Sequence, residues 1–421
     1  MKLWAFLRRV WMCGVVVLCA VATPPTSAGL RIIRTQHYEM HTDLPDDFAN
    51  DLAVRMDAMY EEYSKRLSDF AQPTDAQRLQ VYLFDKHADY IAFTKNEHTA
   101  GVFAPGEKSY LASFLEGQGR EEMRHTLQHE AFHQFAYFVV SPNLPTWLNE
   151  GIAELYNDAI WTGNRYIIGE IYPRRVRRLE EDIKNHNFVH FDKMIAMDHK
   201  TWNEALSAKD ETATTYYNQA WAMLYFLTQS GPSAQPKQMT AYLKQLHGGA
   251  DPASAWKTFF PDTKLLESQF ANWVTRVDPT PGGTLIERMS VLGDFYIYAT
   301  QHGVQFNTIT DFRNLITRSE MRITYKVGSV SWRTDRPDLY FRNLRNDLWK
   351  EQELYFEPRQ GTYPDIVCIA DKDTALCQRF HGPTGGAPTE HELLFNIGAR
   401  ASGSNVQMRS LQKGSGPGGL H

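Results

Sequence analysis

The chain has 421 residues, 43% of them hydrophobic and 22% charged, with a formal net charge of −5. Those proportions exclude a disordered polypeptide, and the length favours two domains over one. The negative balance excludes a general electrostatic attraction to nucleic acid.

The first segment, "MKLWAFLRRVWMCGVVVLCAVATPPTSAGL", places Lys2, Arg8 and Arg9 around the start of an apolar run from Val10 to Ala22, followed by small residues. This is the pattern of an export signal cleavable after Ala22 or Ala28, and the run is shorter than the ~20 residues of a spanning helix. Residues 1–28 are therefore expected to be removed, leaving a secreted or periplasmic protein with no stable membrane insertion. Removal takes three basic residues away and leaves Cys368 and Cys377 as the remaining cysteines. In an oxidising compartment "CIADKDTALC" is expected to close as a disulfide loop.

"LRIIRTQHYEMHTD" alternates like a strand. The next segment places Leu52, Met56, Met59, Tyr60, Tyr63 and Leu67 on one face of a helix. "RLQVYLFDK" reads as a buried strand, "HADYIAFTKN" as a short helix, and "AGVFAPGEKSYLASFLEGQG" as a hairpin turning at Pro105-Gly106. From Glu121 to about His247 the pattern is mainly helical. "VDPTPGG" suggests a linker over 278–283 between a first domain, 29–277, and a smaller strand-rich domain, 284–400. In the second, "MRITYKV", "DLYF", "ELYFEP", "DIVCIA" and "ELLFNIG" read as strands, and the Gly/Ser-rich 401–421 reads as a disordered tail.

The chemistry concentrates in "TLQHEAFHQFAYFVVSPNLPTWLNEGIAELYND", Thr126 to Asp158. Residues four apart share a helix face, so His129 and His133 can offer both imidazoles to one point, as two zinc ligands do at about 2.0–2.1 Å. Glu130, one step round the helix, is placed as a general base that does not compete for the metal. A catalytic zinc needs a third protein ligand. Pro142 and Pro145 end the first helix, the second starts near Thr146, and the turn between them can return Glu150 to the histidines. Gly151 and Ala153 leave room for two helices to approach closely. Glu154, one turn beyond Glu150, can accept a hydrogen bond from a ligand imidazole and so orient it.

"HEAFH" followed by "WLNEGIAE" resembles the gluzincin metallopeptidases, the superfamily that includes thermolysin and aminopeptidase N, and within it the bacterial exported proteins described as peptidase-MA-like. The resemblance spans roughly Leu30 to Val277. It implies an α+β chain whose thermolysin-like catalytic domain has a small mixed sheet and a helical active-site region, followed by the β-rich domain. It also implies Zn2+ held by His129, His133 and Glu150, with Glu130 as general base and Glu154 as the acid that follows the ligand glutamate by four. "TTYYNQAWAMLYFL" is similar to the aminopeptidase-N helix whose tyrosine stabilises the tetrahedral intermediate. The best register puts that tyrosine at Tyr217, with Tyr216 as the alternative.

Two departures narrow the expectation. Sixteen residues separate His133 from Glu150, fewer than in aminopeptidase N. The Gly-x-Met-Glu-Asn segment that holds a substrate's amino terminus is missing, and the hairpin offers Glu107 only at its turn. The expected activity is therefore an exported zinc peptidase acting within peptide or protein substrates rather than at amino termini. Alternatives are a silent scaffold that binds a partner, for which the second domain is the candidate, and a zinc hydrolase of a non-peptide bond. "RRVRR" (Arg174 to Arg178) reads as a solvated or salt-bridged helix face, with reception of a substrate carboxylate as the alternative, His125 as surface or a neighbour of the ligands, Asp198-His199 as a loop pair, and "WNEAL" as ordinary helix.

Overall fold

The computed structural model describes residues 29–70, 78–208, 211–230, 234–327, 330–360, 362–370, 374–383 and 385–397. The expected export signal and the Gly/Ser-rich tail lie outside the described residues. The chain is mixed α+β with a β-rich C-terminal region. It divides into two compact units: residues 29–159 with 177–277, and residues 160–176 with 278–397.

The first unit opens on a hairpin where the alternation suggested one strand. Strands β1 (Arg31–Arg34) and β2 (Tyr38–Thr42) pair antiparallel. The break between them is fixed from a distance: Asp57 accepts the backbone N–H groups of Gln36 (3.0 Å) and His37 (3.1 Å). Asp57 lies on α1 (Asp46–Arg66), whose Asp46 and Asp47 at the start and Lys65 and Arg66 at the end suit the helix dipole. All six apolar residues predicted for one face of this segment are buried.

Strand β3 (Leu79–Phe84), helix α2 (His87–Thr94) and the antiparallel hairpin β4 (Gly101–Ala104) and β5 (Tyr110–Phe114) follow as predicted. The sheet order is β1-β2-β3-β5-β4, with β2–β3 and β3–β5 parallel, so β4 forms an outer edge. Helices α3 (Arg120–Val139) and α4 (Thr146–Asn157) are separated by the turn containing Pro142 and Pro145. Tyr60 and Tyr63 of α1 meet Phe135 and Phe132 of α3 edge-on at 5.1 and 5.7 Å. Arg124 of α3 forms a 2.7 Å ion pair with Asp51 of α1.

The short strands β6 (Ile160–Trp161) and β7 (Tyr166–Ile167) belong to the second unit, although the sequence pattern placed them in the first domain. The division falls within α5 (Pro173–Lys184). The first unit then continues through α6 (Phe191–Ala196), α7 (His199–Ala208), α8 (Glu211–Gln229), α9 (Pro236–His247), α10 (Pro252–Phe259) and α11 (Thr263–Val274).

In the second unit the expected linker is partly a helix start. Thr280 accepts from the Gly283 N–H and Pro281 takes the first position of α12 (Pro281–Gln301), a signature of helix initiation. Two helices, α12 and α13 (Ile309–Arg318), precede the strands. Strands β8 (Thr324–Val327) and β9 (Val330–Arg333) pair with each other. "DLYF", expected as a strand, lies in a 3₁₀ helix, Pro337–Phe341, whose start at a proline suits a helical turn better than a ladder. Strands β10 (Leu354–Glu357), β11 (Asp365–Ile369), β12 (Thr374–His381) and β13 (Glu390–Ile397) form an antiparallel sheet in chain order.

The expected disulfide is absent: Cys368 and Cys377 are free, buried thiols. In the β11–β12 ladder Cys368 stands opposite Leu376, and Cys377 opposite Val367. That one-residue offset sends the two side chains to opposite faces. Cys368 packs in the core with Phe295 and Phe312 of the helices, and Cys377 lies on the other face with Val367 and Ala375. Burial pushes the Cys368 thiol up to about 12.

Candidate metal centre

Helices α3 and α4 present His129, His133 and Glu150 to one point. One donor atom from each lies within 4.8 Å of the others, and they form the sole group of this kind among the described residues. The imidazole rings of His129 and His133 are 4.7 Å apart and nearly perpendicular, at 79°. Glu150 Oε2 is 3.2 Å from His129 Nε2 and 3.4 Å from His133 Nε2. All three side chains are buried.

The hydrogen-bond geometry says what the cluster lacks. His129 Nε2, His133 Nε2 and Glu150 Oε2 are close but not aligned as hydrogen bonds, and none has a hydrogen-bond partner. Buried polar atoms without partners are costly and uncommon in folded proteins. Three unpaired donor atoms converging in the interior fit a bound cation, and two imidazoles with one carboxylate fit zinc among others. The Nδ1 atom of His129 also lacks an aligned hydrogen bond, and Glu154 Oε1 lies 3.2 Å from it, close enough to act as an orienting carboxylate after a small rotation.

Electrostatics within the cluster make the same point. Burial alone would lower the proton affinity of His129, but Glu150 and Glu154 outweigh it and hold this imidazole up at about 10. Burial would raise Glu150, yet the charges and contacts of His133 and His129 hold it down at about 2. Without a metal, then, a proton on His129 supplies the positive charge that these carboxylates require.

Glu130 lies outside this group. It is fully buried and burial pushes its carboxyl up, with His133 and His129 pulling back. Its Oε2 accepts the backbone N–H of Phe103 on β4 at 2.8 Å, while Oε1 has no hydrogen-bond partner. One oxygen is fixed and the other remains available.

Of the two candidate tyrosines, Tyr217 is the one beside the cluster. Its ring lies 6.0 Å from that of His129, and Trp202 of α7 packs against it edge-on at 5.1 Å. Tyr216 packs on Trp202 at 5.4 Å. The close helix approach read from Gly151 is made with α8: a Cβ there would sit 2.6 Å from the Ala220 carbonyl oxygen. That contact lets α4 and α8 lie against each other, and Tyr217 is three residues before Ala220 on the same helix.

Three contributors escaped the sequence reading. Gln128 donates through Nε2 to the carbonyls of Tyr156 (2.9 Å), Asn157 (3.2 Å) and Ala159 (3.1 Å), fastening the end of α4 to α3. A glutamine beside the motif carries no sequence signal of that role. His199, read as part of a loop, starts α7; burial lowers its proton affinity, with Glu150 raising it and His133 lowering it. It therefore lies within electrostatic reach of the cluster. The third contributor is the Phe103 N–H, a backbone group that no pattern of side chains reveals.

The remaining candidates are structural. His125 bonds to the Asn157 carbonyl. Arg178 is buried with Asp182 (3.0 Å) and Thr215 (2.8 Å).

A family profile described as a protein of unknown function (DUF1570) matches residues 124–247. That stretch runs from α3 to the end of α9 and contains His129, His133, Glu150, Glu154 and Tyr217. No protein among the curated sequences matches the chain.

Proposed function

We propose that this chain is an exported zinc-dependent hydrolase of the gluzincin type, most readily a peptidase cleaving within peptide chains. The observation that carries the reading is the convergence of His129 Nε2, His133 Nε2 and Glu150 Oε2, buried and without hydrogen bonds, beside a separate buried glutamate. A purely structural metal site has no use for that second carboxylate.

The three residues would hold the ion, and Glu154 would fix the tautomer and orientation of His129. Bound zinc is a Lewis acid that lowers the pKa of water towards about 7. Glu130 takes the proton from the attacking water and delivers it to the leaving amine, and its burial makes it the stronger base for the first transfer. Tyr217 donates its hydroxyl to the carbonyl oxygen as negative charge builds there. The outer edge of β4 offers an extended peptide a strand to pair with, beside the base. A thermolysin-like arrangement of sheet and helices, and delivery outside the cytoplasm by the N-terminal signal, belong to the same proposal.

The test is to measure bound zinc in the mature protein and to assay a broad peptide library with wild type and Glu130→Gln. Cleavage by the zinc-loaded wild type, lost in the variant with zinc retained, is the expected result. Bound zinc with no cleavage by either form would overturn the peptidase reading.

A further inference from the structure

We infer that the Phe103 backbone N–H is the device that keeps Glu130 off the metal, so that it serves as a base instead of a fourth ligand. The inference rests on the hydrolase reading of the site and adds a positioning element to it.

A glutamate oxygen is as competent a zinc ligand as an imidazole nitrogen, and a site closed by four protein ligands is structural rather than catalytic. Glu130 follows His129 directly in sequence, is fully buried, and has a carboxylate that would gain from contact with a cation. Its place one step round the helix sets its backbone apart from the ligands, and a restraint on the side chain keeps the carboxylate there as well. The structure supplies one restraint at the carboxylate itself, the 2.8 Å bond from Phe103 N–H to Oε2. That N–H is available because β4 is the edge of its sheet, and the Phe103 amide is directed to Glu130.

Gly101 allows the strand to lie this close. A Cβ at Gly101 would meet Thr126 Cγ2 at 2.5 Å and Glu130 Cγ at 3.2 Å. Both contacts lie on α3, one turn apart, so the glycine seats β4 directly over the base. The hairpin that offers an edge to substrate thus also sets the position of the catalytic carboxylate.

Phe103→Pro tests this, because proline deletes the N–H while an outward-facing edge position tolerates it. Phe103→Ala is the control, since it also loses the ring that packs 5.6 Å from Tyr137 but keeps the donor. Each variant is loaded with Co2+, and its visible absorption and metal affinity are measured alongside its melting temperature. Phe103→Pro is expected to bind metal about tenfold or more tighter than Phe103→Ala, with a changed cobalt spectrum, a reduced kcat and a little-changed KM. Adding Glu130→Gln to Phe103→Pro should abolish the gain in affinity and restore the spectrum.

Gly101→Ala lifts the strand without removing the donor, and should shift the spectrum in the same direction by a smaller amount. It is the second test if Phe103→Pro does not fold. Identical cobalt spectra and affinities in Phe103→Pro and Phe103→Ala would overturn the tether while leaving the metal site standing. No metal uptake by wild type would overturn both the tether and the hydrolase reading.

Discussion

Glu130 and Glu150 bring two carboxyl groups into the protein interior, and Glu154 adds a third nearby, so the proton on His129 and a divalent cation compete for one role. His129 is held at about 10, above its ordinary 6.5. Its contribution to the stability of the metal-free protein is therefore complete below pH 6.5 and is lost as pH rises through about 10. On the proposed reading, a zinc ion binding near pH 7 would have to expel that proton, and apparent affinity should rise roughly tenfold per pH unit between pH 7 and 9. Calorimetric titrations in buffers of different ionisation enthalpy should report about one proton released per ion; an enthalpy independent of buffer would contradict the assignment. Glu154→Gln should weaken metal binding by about 10–100-fold while leaving the three ligands in place. Tyr217→Phe should lower kcat by about 10²–10³-fold with little change in KM, whereas Tyr216→Phe should not.

Helix pairing decides whether these side chains meet. The α3–α4 turn was legible because Pro142 and Pro145 cannot continue a helix already under way, and the spacing of the candidate ligands on each side follows from 3.6 residues per turn. The contact that seats α4 against α8 was only half legible. Gly151 announced a close approach, but nothing in the local pattern named Ala220 as the partner. Gly151→Ala should cost about 1–3 kcal/mol of stability, because the new methyl meets rigid backbone at 2.6 Å. Its urea midpoint should fall, and metal affinity should fall with it.

The misread elements share a physical cause. The break after β1 depends on Asp57, a residue of a later helix, and the fate of the cysteines depends on ladder register; neither is local information. Cys368 and Cys377 should react with thiol reagents only after denaturation, and reducing agents should leave the melting temperature unchanged.

Across the chain, the order of elements from α1 to α4 and the β-rich character of the C-terminal region could be read from periodicity and turn residues. The assignment of residues 160–176 to the second unit could not, because it is made by tertiary contacts. Thr280 N–H bonds the Ile171 carbonyl at 3.0 Å, and Glu287 accepts the Arg174 N–H at 2.8 Å, across more than a hundred residues of sequence. The candidate metal centre draws only on the first unit, and all its side-chain candidates fall within the matched 124–247 stretch. The Phe103 amide comes from outside that stretch, which makes the edge strand a requirement that the motif alone does not state.

Zinc titration of the chelator-treated protein decides whether His129, His133 and Glu150 form a three-ligand metal site with Glu130 held apart. Wild type and Glu130→Gln should each bind one zinc ion per chain with similar affinity, and His133→Ala and Glu150→Ala should lose that binding. Zinc binding that survives the loss of His133 or Glu150, or that disappears with Glu130→Gln, would rule out this three-ligand site.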